Sequence, residues 1–268
     1  METYIKEKEL PLKELEQLGV YKEGGLTLPG SDIAALLAGR RTDLCKLTDL
    51  EMEGFQISHL EAKLSLSRDR EGKIKLNIHP IYQEAQQHPL LDDKEAKELM
   101  SGKVDSVKKL VEHNGMEQKL LIEFDKETKE FISYYPYQVE VPFKVNGETL
   151  DHKQKKAFQN GEVIELKDGT RLKHSATDSK GVRSDTKRLI FSVLFDGGLS
   201  YLVMRGLKNL AEKGELQKEG YTQGYNQALA DMMGAKDHRI DKESTVGGYK
   251  NPDLDKQENR SYERGRAR

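Results

Sequence analysis

The chain has 268 residues, its 44 Lys+Arg are balanced by 46 Asp+Glu, and charged residues make up 34% against 35% hydrophobic ones. With no Trp and a mean hydropathy of -0.77, too little apolar surface is present to offset ordering entropy in one large core, which points to several small folded units and some unfolded chain. The near-neutral balance excludes a global cationic field, and a single cysteine, Cys45, excludes an internal disulfide framework and zinc sites of the CxxC type.

The opening residues are charged throughout and lack the apolar segment of a secretion signal. The longest apolar runs, Leu189–Phe195 and Tyr201–Met204, fall far short of the ~18 residues a membrane helix needs. A soluble, cytoplasmic protein is expected.

Along the chain, a short helix is expected over Leu12–Leu18, ended by Gly19. The stretch Leu36–Arg41, LLAGRR, then has the look of a phosphate loop, a glycine followed by paired cations. Its shape returns twice, as LMSGKV at Leu99–Val104 and FQNGEV at Phe158–Val163. Aligning Gly39, Gly102 and Gly161 places Leu28, Leu91 and Leu150 eleven residues upstream, and Leu36, Leu99 and Phe158 three residues upstream. Cap candidates stand in front: Ser31, Asp92 or Asp93, and Asp151. Each copy therefore reads as a short capped helix with a left-handed glycine after its end. A phosphate would be misplaced there, because the C-terminal end of a helix attracts cations; Arg40 and Arg41 are expected to serve that helix end.

Downstream of each helix the pattern switches to paired apolar strands: Ala62–Pro80, Lys119–Pro136 and Leu189–Met204. In the first, Leu64, Leu66, Ile74, Leu76 and Ile78 alternate with Ser65, Ser67, Lys73, Lys75 and Asn77, the period of a sheet with one wet face. Turn residues Asp69…Gly72, Asp125…Thr128 and Asp196-Gly197-Gly198 join the strands. The fold class is α+β: tandem small modules, each a short helix followed by antiparallel β-hairpin strands, with a disordered C-terminal tail. The expected boundaries are an N-terminal module over 1–90, a second unit over 91–142, a third over 143–207, a weak helix over 208–236 and the tail over 237–268. Tyr221, Tyr225, Leu229 and Met232 share a face of the weak helix. The tail has almost nothing apolar and ends in RSYERGRAR.

The run from LPLKELEQLGVYKEGGL through LLAGRRTDL, LEAKLSLSRDREGKIKLNIHPI and LDHKQKKAFQNGEVIELKDG resembles a pair of uncharacterised domain families found in proteins of Bacteroides-type conjugative transposons. The resemblance spans roughly Leu10 to Leu207. The first family carries the Leu-x-x-Leu-Gly opening and the Ala-x-Leu-Ser-Leu hairpin, and the second carries the repeated helix-then-glycine unit. The resemblance implies a mobile-element setting near DNA-processing functions and supplies no catalytic residues. The chain departs from it in the third unit, where a more polar and more basic segment stands in place of the usual strand pair.

That segment holds the strongest local concentration of cations: Lys167, Arg171, Lys173, Lys180, Arg183, Lys187 and Arg188, against Asp168, Asp178 and Asp185. Read as a polar loop, it is the candidate surface for nucleic-acid phosphates, with Gly169 and Gly181 giving close backbone approach; read plainly, it is a solvated loop. Phe131, Tyr134, Tyr135 and Tyr137 could stack bases or pack a sheet. Asp151 with Glu165-Leu166-Lys167 matches a metal-nuclease pattern on paper, as Glu61-Ala62-Lys63 does in part, but such matches are common in so charged a chain. The histidines are scattered, and His79 before Pro80 reads as structural. Three small units leave no obvious pocket and no acid, base and nucleophile stand out, so no catalytic residue, metal or cofactor is assigned. The expectation is a non-catalytic binding protein whose partner is DNA or a DNA-processing protein of the same element; a protein–protein adaptor without nucleic-acid binding is the alternative, and a metal-dependent nuclease the third reading.

Overall fold

The computed structural model describes residues 5–52, 55–69, 71–113, 115–195, 198–210 and 216–237. Packing divides the chain into two units, residues 1–233 and 234–268, and of the second only 234–237, the end of the last helix, are described. The architecture is α+β, with small antiparallel sheets in series.

The first module begins with α1 (Leu12–Gln17), ended by Gly19 at φ 69, and a short hairpin, β1 (Tyr21–Lys22) and β2 (Gly25–Leu26). Helix α2 (Gly30–Leu37) follows. Its start corrects the expected cap: the helix already begins at Gly30 after Pro29, and no side chain caps it. Strands β3 (Cys45–Met52), β4 (Phe55–Arg68) and β5 (Ile74–Pro80) form a three-stranded sheet in that order. Leu64, Leu66 and Ile74 are buried on one face with Leu15, Leu36 and Leu47. Strand β3 was hidden in the sequence because CKLTDLEM alternates only loosely.

The second module has α3 (Asp93–Ser101) and the sheet β6 (Val107–His113), β7 (Met116–Asp125) and β8 (Glu130–Tyr134). Asp92 caps α3 through Lys94 and Glu95, whose carboxylate reaches back to the Asp92 N–H. Leu99, Leu120 and Ile122 form its small core, with Phe124 and Phe131 beside them.

The third module opens with the hairpin β9 (Lys144–Val145) and β10 (Glu148–Thr149), then α4 (His152–Gln159), capped by Asp151. The segment expected as a loop is instead a second sheet, β11 (Ile164–Glu165), β12 (Arg171–His174) and β13 (Val182–Ser184), and its core residues Ile164, Leu166, Leu172 and Val182 are buried. Strands of two, four and three residues carry no period that a sequence reading can detect. The expected long hairpin forms as β14 (Arg188–Phe195) and β15 (Gly198–Arg205), with β9 paired to the other side of β14.

All three aligned glycines sit at positive φ, 65, 74 and 68, and Leu36, Leu99 and Phe158 are fully buried one turn before them. The repeat is thus a physical unit in which an apolar side chain anchors the helix and a left-handed glycine turns the chain away from it. The expected helix over 208–236 is shorter than its sequence signal. Residues 208–210 and 216–222 are irregular, with single bridges at Asn209 and Lys218, and α5 occupies Gln223–Asp237. Tyr225 and Ala228 pack on Ile190, beside Tyr201 and Val203 of β15. The tail expected for 237–268 lies outside the described residues, apart from Asp237 at the end of α5.

The polar face of the first sheet is not wet along its length. Lys63 is 1% exposed and holds Asp125 at 2.8 Å and Glu127 at 2.7 Å, both from the second module. Beside it, Arg41 pairs with Glu130 at 2.7 Å, and His79 lies 3.5 Å from the same carboxylate while contacting Ser65 at 2.8 Å. Burial alone would raise the pKa of Glu130, but the His79 hydrogen bond and the Arg41 charge outweigh it and hold the group at about 2.

Two predictions follow from this junction. Lys63→Ala leaves the buried Asp125 with the more distant Arg41, 3.7 Å away, in place of its hydrogen-bonded ammonium and should cost about 3 kcal/mol, read from urea unfolding. Because the folded pKa of Glu130 lies below its ordinary 4.5, its stabilisation is full above that pH and fades as pH falls toward 2. The stability gap between the wild type and Glu130→Gln should therefore shrink on acidification below pH 4.5; a gap constant with pH would refute the ionic role.

Candidate functional site

The seven cations singled out in the sequence are distributed around the sheet β11-β12-β13 and the start of β14, and most are engaged within the fold. Lys173 is buried and pairs with Asp105 of the second module. Arg171 approaches Asp185 at 3.5 Å, and Lys218 reaches that carboxylate at 3.1 Å. Lys187 pairs with Glu219 at 2.6 Å. Arg183 donates to Thr177, and Arg188 lies 4.9 Å above the ring of Tyr221. Lys167 is exposed and Lys180 half-buried, close enough to Asp32 for its charge to act on that carboxyl. Lys173 alone of the seven is buried; Lys167, Arg171 and Lys187 are exposed, and Lys180, Arg183 and Arg188 are half-buried.

The loop between β12 and β13, residues 175–181, is where the three modules meet. Ser175, Thr177, Asp178 and Ser179 are all buried. Arg40, from the LLAGRR stretch, donates through Nε to the Ser179 carbonyl at 3.0 Å, and its side chain lies against Gly181. Arg41 turns the other way, to Thr128 and Glu130. The paired arginines therefore clasp the first module to both others, a role beyond the helix end expected of them. From the second module Glu123 accepts from Tyr134 at 3.0 Å, Ser175 at 3.1 Å and the Thr177 N–H at 3.3 Å. Burial pushes the Glu123 carboxyl up despite these donors, and burial beside Glu123 pushes the Tyr134 hydroxyl up as well.

The other candidates are also committed to structure. Asp151 caps α4, and the Glu165 carbonyl accepts from Gln154, so the paper nuclease pattern is a helix start beside a strand. Phe131 packs on Phe124, Tyr134 is held in the junction, and Tyr135 stacks on Tyr137, which is exposed. Ser65, His79 and Glu130 stand in the order of a serine–histidine–acid relay. The histidine–carboxylate separation of 3.5 Å is long, however, and Arg41 and Thr128 already engage that side of the junction. Among the described residues no three His, Cys, Asp or Glu side chains converge as metal ligands would, and no helix is long and apolar enough to cross a membrane.

A cleft of about 420 Å³ lies between the β9–β10 turn, residues 166–168 and the start of α5. Asp168 closes it, accepting from Asn146 at 3.3 Å and from the Thr222 hydroxyl. Gly224 is required there: a Cβ would come within 2.6 Å of the Asp168 carboxylate and 3.0 Å of the Asn146 carbonyl. The cleft is the seat of α5, whose first turn Thr222 caps through the Tyr225 N–H. Sequence reasoning missed both this seat and the burial of 175–181; Asn146-Gly147, a turn with φ of 47 and 79, was the available signal for the hairpin at its rim.

Residues 5–89 match the model of a family described as a protein of unknown function (DUF4099), a stretch that coincides with the first module from α1 through β5. No curated protein and no solved structure matches the chain.

The structural and exposed cations should separate by mutation. Lys173→Ala is expected to lose about 1–3 kcal/mol, because it removes a charged hydrogen bond and a buried stem, whereas Lys167→Ala should stay within about 0.5 kcal/mol of wild type in urea unfolding.

Proposed function

We propose that this is a non-catalytic cytoplasmic binding protein of a mobile genetic element, acting as a protein–protein adaptor. The mobile-element setting rests on the resemblance of residues 10–207 to conjugative-transposon proteins; the family matched over 5–89 is itself of unknown function. The observation that carries the adaptor reading is that partners within the fold occupy most of the cations between Lys167 and Arg188, led by the buried Lys173 in its pair with the exposed Asp105. A nucleic-acid groove needs cations facing solvent along one track, since each phosphate contact contributes through release of counterions.

Protein contacts are further supported by an open sheet edge. Among the described residues strand β6 pairs on one side only, with β7, and Leu110 and Met116 of that edge hairpin are 63% and 61% exposed. Such edges accept another strand readily.

The test is a titration of the full chain against single- and double-stranded DNA and RNA at low and moderate salt, alongside a Lys167→Ala/Lys180→Ala/Lys187→Ala variant. The expected result is no salt-dependent binding by either protein. Binding by the wild type with a steep salt slope that the variant loses would overturn the adaptor reading and restore the Lys167–Arg188 segment as a nucleic-acid site.

A further inference from the structure

The residues that sequence reading passed over as cation sites lie on the opposite side of the second sheet from α3. Along β6, Lys109 turns toward α3 and holds Glu95 at 2.6 Å, so by strand alternation Lys108 and Leu110 point to the other face. Leu110 is directly opposite Lys119 of β7, and Lys119 donates to Asn160, the residue after α4, at 2.6 Å. Lys156 of α4 adds a third ammonium nearby, and α4 itself carries Lys153 and Lys155 with no acidic residue in His152–Gln159.

The three lysines Lys108, Lys119 and Lys156 thus come from two strands and a helix of two modules onto one surface. Among the described residues none of them makes an ion pair with a carboxylate; Glu162 is the acidic group whose charge reaches Lys119. Burial, together with the Lys108 and Lys156 charges, pulls the Lys119 ammonium down in pKa against the opposing charge of Glu162. Elsewhere in the chain the buried or half-buried cations Lys63, Arg41, Lys109 and Lys173 each have a carboxylate.

We propose that the outer edge of β6 receives an extended acidic peptide segment of a partner protein, which adds as a fourth strand, sets a carboxylate beside Lys108 and an apolar side chain beside Leu110, and lies in the positive field to which Lys119 and Lys156 add. This rests on the adaptor reading and gives it a site and a class of partner. Charge complementarity selects an anionic occupant. The strand edge and the exposed leucine select a peptide over nucleic acid, because a phosphate backbone has no donors for the carbonyls of the edge and makes no apolar contact. Orientation also follows. Glu112 and Glu117 face each other at the far end of the β6–β7 pair, so the acidic end of the incoming strand belongs beside Lys108.

The test uses the full chain and a fluorescein-labelled short peptide of repeated Thr-Glu-Thr-Val, which places one acid and one valine in turn on a single strand face. A Thr-Lys-Thr-Val peptide and a labelled thymidine oligonucleotide serve as the other probes. Fluorescence anisotropy is expected to show binding of the acidic peptide alone. Lys108→Glu/Lys156→Glu should weaken it about tenfold or more, and a charge-matched Lys94→Glu/Lys97→Glu variant on α3 should leave it unchanged. All four substituted lysines are exposed, and coincident thermal unfolding curves establish that the variants are folded. Absence of peptide binding, or equal weakening by the two variants, overturns the site and leaves the adaptor reading standing. Oligonucleotide binding lost only in Lys108→Glu/Lys156→Glu overturns both.

Discussion

The modules are held together by charge placed where water does not reach. Lys63 is among the largest fully buried side chains in the protein, and it lies on a face that would be solvated if the first module stood alone. An ammonium can occupy that position only because Asp125 and Glu127 of the second module arrive within hydrogen-bonding distance. Arg41, Glu130 and His79 extend the same junction, and Arg40 carries it to the third module. A shift of either sheet along this seam would strand Lys63, Asp125 and Glu130 without their partners.

This constraint also accounts for the three small cores. Each module buries a separate apolar cluster, centred on Leu64, Ile122 and Leu172 respectively. Among the described residues the first and third clusters hold twelve buried residues each, and the second holds three. Small cores are marginal by themselves, so stability depends on mutual support across the junctions. The loop 175–181 is the meeting point: its polar residues are buried because Glu123 and Arg40 supply partners for hydroxyl and carbonyl groups that water would otherwise hold.

The same accounting separates internal cations from available ones. Of the cations close in sequence, from Lys167 to Arg188, Lys173 and Lys187 meet acids drawn from elsewhere, Asp105 and Glu219, and Arg171 meets Asp185 of the same segment. Cations far apart in sequence, Lys108, Lys119 and Lys156, are brought together without such acids. Clustering along a chain and clustering on a surface are different quantities, and a sheet with period-two alternation readily converts one into the other.

The sequence by itself determined the local units. Leu36, Leu99 and Phe158 with their trailing glycines, the Asp92 and Asp151 caps, and the Leu64–Ile78 alternation are all short-range patterns, because a helix end or a strand face is settled by residues within one or two turns. The tertiary structure alone decided which polar face is wet, where Arg40 and Arg41 reach, and that the basic segment is a sheet and not a loop. Those outcomes rest on pairs such as Lys63–Asp125, Arg40–Ser179 and Lys173–Asp105, which are 62, 139 and 68 residues apart. Such pairs leave no periodic trace, since one lysine among many carries no signal of which carboxylate it will meet or of whether water will be present when it does.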